Sequence, residues 1–353
     1  MRRLVIVMGV LLVVVAAGTA GVRAWLSRPT DLQRALALAP SDAQRWSWTD
    51  WSSVRDATGV RLDADSSTAK VHRLIEKGYA ADLTSTSVLI DSAGLLQEHY
   101  GWSPATLDWE LYSQASDGAV MIGHLPDSIS FDDLRDDLDR MGFTKPAQGE
   151  DVWDGSTAAY AVSSSADDGA VNPEITYVAL DSGRHLVLTS DNGDYLQAQV
   201  DALGDRDALP DGVTRVAEAI GQPVSAYVNS GGYTCSQLSM ADAADDDRQQ
   251  ADELIAQAGK INPVDAMALG AEPHDGVRAV LAFESHDQAV TNADSRAKLA
   301  AGPAPGQGGD FTDRFRLGKV KADGDVVTMA LHPTPNASIL SDLGNGPLLF
   351  ATC

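Results

Sequence analysis

The chain has 353 residues, with 50 acidic against 26 basic side chains and a formal charge of −24 at neutral pH, and it is long enough to bury a sizeable core. That balance excludes nucleic acid and anionic lipid headgroups as extended partners, because both would meet net repulsion. A cationic ligand, an envelope protein or plain solubility in salt remains compatible with it.

The first element is the apolar run Leu4 to Val22, which follows Arg2 and Arg3 and meets no charge before Arg23. At a helical rise of about 1.5 Å per residue it reaches about 28 Å, close to the hydrocarbon thickness of a bilayer. Its length favours an uncleaved anchor over a signal peptide cut near Gly18-Thr19-Ala20 or Val22-Arg23-Ala24. Residues 1–25 are therefore expected to form a signal anchor or transmembrane helix and 26–39 a juxtamembrane linker. The expected location is the cell membrane, single-pass, with the bulk of the chain outside the cytoplasm; secretion after cleavage is the alternative. The chain holds two cysteines, Cys235 and Cys353, and export predicts that they form a disulfide.

Beyond the linker, a strand–turn–strand–helix pattern recurs four times. The copies centre on Ser116-Asp117-Gly118, Asp181-Ser182-Gly183, His274-Asp275-Gly276 and Ala322-Asp323-Gly324. Each turn glycine is expected to supply a positive φ. Ser130, Ser285 and Asn336 read as helix caps, and Gly142, Gly204, Gly302 and Gly344 as helix ends. Each pair of copies follows a lone strand and helical material. The first is Arg45 to Trp51 with helices over Ser67–Lys77 and Ser87–Tyr100; the second is Pro223 to Asn229 with a helix over Asp242–Ala258. These features predict an α+β chain with a tandem duplication of a ferredoxin-like-type sandwich, four ββα units in all, as one domain over 40–210 and a second over 211–353. Pro347 to Thr352 reads as a closing strand that carries Cys353 to Cys235. Loops are expected at Ser163–Asn172, Gly204–Gly212 and Gly302–Gly309.

No strong catalytic, metal or cofactor signature is present, and none of these sites is expected. His274 and His286 fall at opposite ends of one predicted strand, too far apart to share a zinc ion. Ser163, Ser164 and Ser165 with His185 lack the elbow of a serine hydrolase. Asp242 and Asp245–Asp247, like Asp191, Asn192 and Asp194, crowd helix starts, where the dipole stabilises negative charge without a bound calcium ion. Trp46, Trp48 and Trp51, and the group Tyr100, Trp102, Trp109 and Tyr112, are read as core rather than as a stacking surface, since Trp46 and Trp48 share a face by strand period.

The stretch Ala39-Pro40-Ser41-Asp42 followed by Trp46-Ser47-Trp48-Thr49-Asp50-Trp51, behind an apolar leader, resembles uncharacterised exported and membrane-anchored proteins of actinobacteria. The resemblance covers the opening stretch and the overall plan, and lends no functional residues. It implies a membrane-anchored binding or structural module of the cell envelope. The rival expectation is an envelope enzyme working between the two halves with dispersed Asp, Ser and His groups.

Overall fold

In a computed structural model describing residues 28–163, 172–272 and 276–353, the strand read from Arg45 is β1 (Arg45–Thr49). It stops where Asp50 turns into a cap for the helix Trp51–Thr58, its carboxylate accepting from Ser53 N at 2.8 Å. The other strands are β2 (Trp109–Gln114), β3 (Ala119–His124), β4 (Val152–Asp154), β5 (Tyr177–Asp181), β6 (Leu186–Ser190), β7 (Ser225–Ser230), β8 (Ala266–Glu272), β9 (Gly276–Ala282), β10 (Phe315–Asp323) and β11 (Val326–Pro333). All belong to one sheet of order β10-β11-β9-β8-β7-β1-β2-β3-β6-β5-β4, and every neighbouring pair is antiparallel.

This arrangement overturns the expected pair of ferredoxin-like sandwiches built from four ββα units. β1 and β7, which were expected to open separate sheets, pair with each other, Ser47 opposite Tyr227, and the sheet runs unbroken from one end of the chain's fold to the other. The physical reason lies in burial. Trp46 and Trp48 point to one face with Val228 and Ala226 beside them, while Ser47 and Thr49 point to the other, and all four β1 residues are buried. A strand buried on both sides needs cover on both sides, so the fold has three layers where a two-layer sandwich has one helical face.

One layer holds the helices Trp51–Thr58, Thr68–Ala80, Phe131–Met141, Asp245–Ala258 and His286–Leu299, which pack Trp51, Leu74, Leu134 and Ala289 against Met121, Leu281 and Met329 of the sheet. The opposite layer holds Asp31–Leu36, Gly193–Asp201 and Asp211–Ile220, whose Leu32, Leu36, Leu196, Val213 and Val216 cover Trp46, Trp48, Ile122 and Ala268. Two of those helices, Asp31–Leu36 and Asp211–Ile220, have no counterpart in the sequence reading.

The chain tail also departs from expectation. Pro347 to Thr352 forms no strand; Leu349–Ala351 is a 3₁₀ turn. Cys353 nevertheless reaches Cys235, and the two form a disulfide with Cα atoms 5.6 Å apart across a sequence separation of 118. Among the described residues no helix is long and apolar enough to cross a membrane, and they give the expected single-pass membrane location no support. The run Leu4–Val22 lies outside the described residues.

Candidate functional site

The β2–β3 hairpin places Trp109 opposite His124 in register. Just before β2, Asp108 is held by its backbone on both sides: its N–H donates to His124 O at 2.8 Å and its carbonyl accepts from Ser52 N at 3.1 Å. With the main chain fixed, the Asp108 carboxylate meets the imidazole, Oδ2 to Nδ1, at 2.9 Å. The imidazole stacks on the Trp109 indole with centroids 5.4 Å apart and planes 19° from parallel, and Trp109 in turn lies 5.6 Å from Trp48. The aspartate and the Trp109 indole, itself backed by Trp48, therefore fix the ring's orientation. Nε2 of His124 makes no hydrogen bond among the described residues.

Asp108, Trp109 and His124 line a cavity of about 330 Å³. Asp50 and Ser52 form another part of its wall, Leu38 and Leu186 its apolar part, and Arg34, Asp31 and Arg184 its rim. Arg184 is anchored to Asp181 at 2.7 Å, and Arg34 pairs with Asp31 and donates to Pro29 O at 2.8 Å. Ser52 is not aligned as a nucleophile toward the histidine: its hydroxyl donates to Asp50 Oδ1 at 2.6 Å, within the same cluster that caps the helix Trp51–Thr58. A held imidazole, a planar aromatic support and two guanidinium groups can bind a small polar molecule through several hydrogen bonds at once.

Two larger clefts contain no histidine. One, of about 850 Å³, lies between Asp31–Leu36 and Asp211–Ile220. The other, of about 880 Å³, joins Asp82 and Leu83 to Val277 and the turn at Pro335. The second bridges the two halves of the sheet, where the enzyme expectation put its site, and it is walled chiefly by alanine, valine and proline.

The other sequence candidates are scattered. His185 has a φ of 57° in the β5–β6 turn and lies edge-on to Phe131; its Nδ1 is buried without a partner among the described residues, and its Nε2 is 3.7 Å from Asp127. Ser164, Ser165 and His274 lie outside the described residues. His286 bonds through Nδ1 to Gly324 O. Asp245–Asp247 occupy the first turn of their helix, and Asn192 caps Gly193–Asp201 by accepting from Tyr195 N at 3.0 Å. Among the described residues no group of three or more His, Cys, Asp or Glu side chains is placed to hold a metal ion. Of the aromatics read as core, Trp46, Trp48, Trp51, Tyr100, Trp102 and Trp109 are buried and Tyr112 is half-buried.

No family model matches this chain, and no curated protein sequence does. Among solved structures, three crystal forms of TP0453 align. Form I has a TM-score of 0.38 at 11% identity, covering 88% of this chain and 96% of that one. Form III gives 0.37 at 11% over 87% and 96%, and form IV 0.40 at 12% over the same shares. Likeness at this level carries no functional argument, which rests on this chain's own residues.

Proposed function

We propose that this protein is an extracytoplasmic binding module that takes a small polar ligand in the cavity over Trp109 and His124. The observation that carries the reading is the Asp108–His124 pair stacked on Trp109, a hydrogen-bonding group fixed in direction at the wall of a cavity of about 330 Å³. Work outside the reducing cytosol is supported by the Cys235–Cys353 disulfide, since such bonds persist in oxidising compartments. The opening-stretch resemblance to exported actinobacterial proteins belongs to the same reading, as does an envelope protein or cationic ligand as partner for a body of charge −24.

The Asp–His pair also favours a second reading, an enzyme in which His124 moves a proton, because an aspartate on Nδ1 leaves Nε2 as the working nitrogen. Binding is preferred because Ser52 is committed to Asp50.

The test is a thermal-shift and calorimetric screen of monosaccharides, amino acids and small dicarboxylates. Ligands of this site raise the melting temperature of the native chain and lose about tenfold or more in affinity with His124→Ala. If the hits bind His124→Ala and native protein equally, the cavity is not the site. Turnover of a hit that stops in His124→Ala would replace the binding reading with the enzymatic one.

A further inference from the structure

The edges of the sheet are unequal. β4 is a three-residue edge, whereas β10, at the other end, runs nine residues and pairs with β11 on one side only. A long free edge exposes a row of backbone donors and acceptors to any extended chain.

The side chains on this edge reverse the sign of the molecule. β10 carries Arg316, Lys319 and Lys321 against a single acid, Asp323, in a chain whose net charge is −24. All three bases are exposed, as is His332, which sits opposite Arg316 in register on β11. Lys321 pairs with Asp323. The side chains of Arg316 and Lys319 form no hydrogen bond or ion pair among the described residues. The helix Asp211–Ile220 covers β7 to β9 and reaches β11, but leaves this basic row open. On the opposite face, Leu317, Val320 and Ala322 are half-buried against the core, beneath the helix His286–Leu299.

We propose that the free edge of β10 docks an extended, acidic segment of another protein as an added strand. The two faces specify its pattern, acidic residues on the side of Arg316, Lys319 and His332 and apolar residues on the side of Leu317 and Val320, with the alternation interrupted where the β10 register shifts between Leu317 and Val320. A second copy of this chain is a poor occupant, because two β10 strands side by side would oppose like charges. Extended phosphate polymers and anionic bilayers would touch the acidic remainder of the molecule as well, whereas a strand touches the edge alone.

The probe is a capped octapeptide of alternating Glu and Val, titrated by fluorescence anisotropy into the full chain. Its controls are a Lys/Val peptide, a Glu/Val peptide with a central proline, and inorganic polyphosphate. The expected result is saturable binding that weakens about tenfold or more when salt rises from about 50 to 300 mM. In Arg316→Glu/Lys319→Glu the Glu/Val peptide loses about tenfold or more and the Lys/Val peptide gains. Both substituted side chains are exposed and form no bond among the described residues, and circular dichroism verifies that the variant is folded. Absence of saturable binding to the native chain, or equal binding by the variant, overturns the proposal. So does equal binding of the proline-interrupted peptide or of polyphosphate, since either would make the row a general anion surface.

Discussion

Glu110 shows how one buried carboxyl can set a pH dependence for the whole chain. It is fully buried in β2, where the Trp51 indole N–H donates at 2.9 Å, the Ser87 hydroxyl at 2.7 Å and Val88 N–H at 2.8 Å. Burial outweighs those donors and pushes its pKa from 4.5 up to about 7. The folded state therefore holds this proton more tightly than the unfolded chain. The stabilisation from that proton is complete below pH 4.5 and is lost as pH rises toward about 7. A shift of this size corresponds to about 3 kcal/mol. The prediction concerns the pH slope, because Glu110→Gln also disturbs the hydrogen bonds at every pH. Denaturant unfolding at pH 4.5 and 7.5 should show the native chain losing about 3 kcal/mol more than the variant across that interval. Parallel pH profiles for the two proteins would show that Glu110 does not titrate in this window.

At the scale of elements, the helix Ile339–Leu343 shows where local sequence reasoning ends. Ser130 and Ser285 cap their helices as read, accepting from Asp133 N at 3.2 Å and Gln288 N at 3.4 Å, because cap and acceptor lie within one turn. Asn336, read as the cap of the last helix, instead takes a φ of 68° in the preceding turn. The cap comes from Asp82, 259 positions from Ser341, whose carboxylate accepts from Leu340 N, from Ser341 N at 3.0 Å and from the Ser341 hydroxyl at 2.8 Å. No local pattern encodes such a bond. The turn glycines make the same point: Gly324 has a positive φ, but in the β5–β6 turn that conformation belongs to His185, two residues past Gly183. Because Asp82 itself has a φ of 56°, glycine keeps its backbone comfortable while removing the cap. Asp82→Gly should cost about 1–2 kcal/mol in urea unfolding, and Asp82→Asn, which can still accept, distinctly less. Equal losses in the two variants would contradict a capping role.

For the molecule as a whole, strands were more legible than their assembly. The hairpins β2–β3, β8–β9 and β10–β11 follow from turn signals and alternation, and the β2–β3 register alone puts His124 beside Trp109. Asp108 meeting that histidine was within reach of the same reasoning. The union of β1 with β7 was not, because hydrophobic pattern shows that a strand is buried and not which strand lies next to it. Tail closure falls between these cases: the cysteine pair was readable, its second fastening was not. Arg296, fully buried and without a carboxylate partner among the described residues, donates to Phe350 O at 2.6 Å and Thr352 O at 2.9 Å, and stacks over Phe283 at 5.2 Å. Burial pulls its pKa down to about 9, so it remains cationic at neutral pH. The two fastenings act on different states. The disulfide chiefly restrains the unfolded chain, and closing a loop of 118 residues gives at most about 4–5 kcal/mol, whereas Arg296 holds the tail only in the native state. Reduction of the native chain should therefore lower its unfolding free energy by about 2–5 kcal/mol while the tail stays docked and resists carboxypeptidase. Arg296→Met should resist the same enzyme when oxidised and lose its last residues when reduced. Rapid trimming of the reduced native chain would show that the covalent bond alone holds the tail in place.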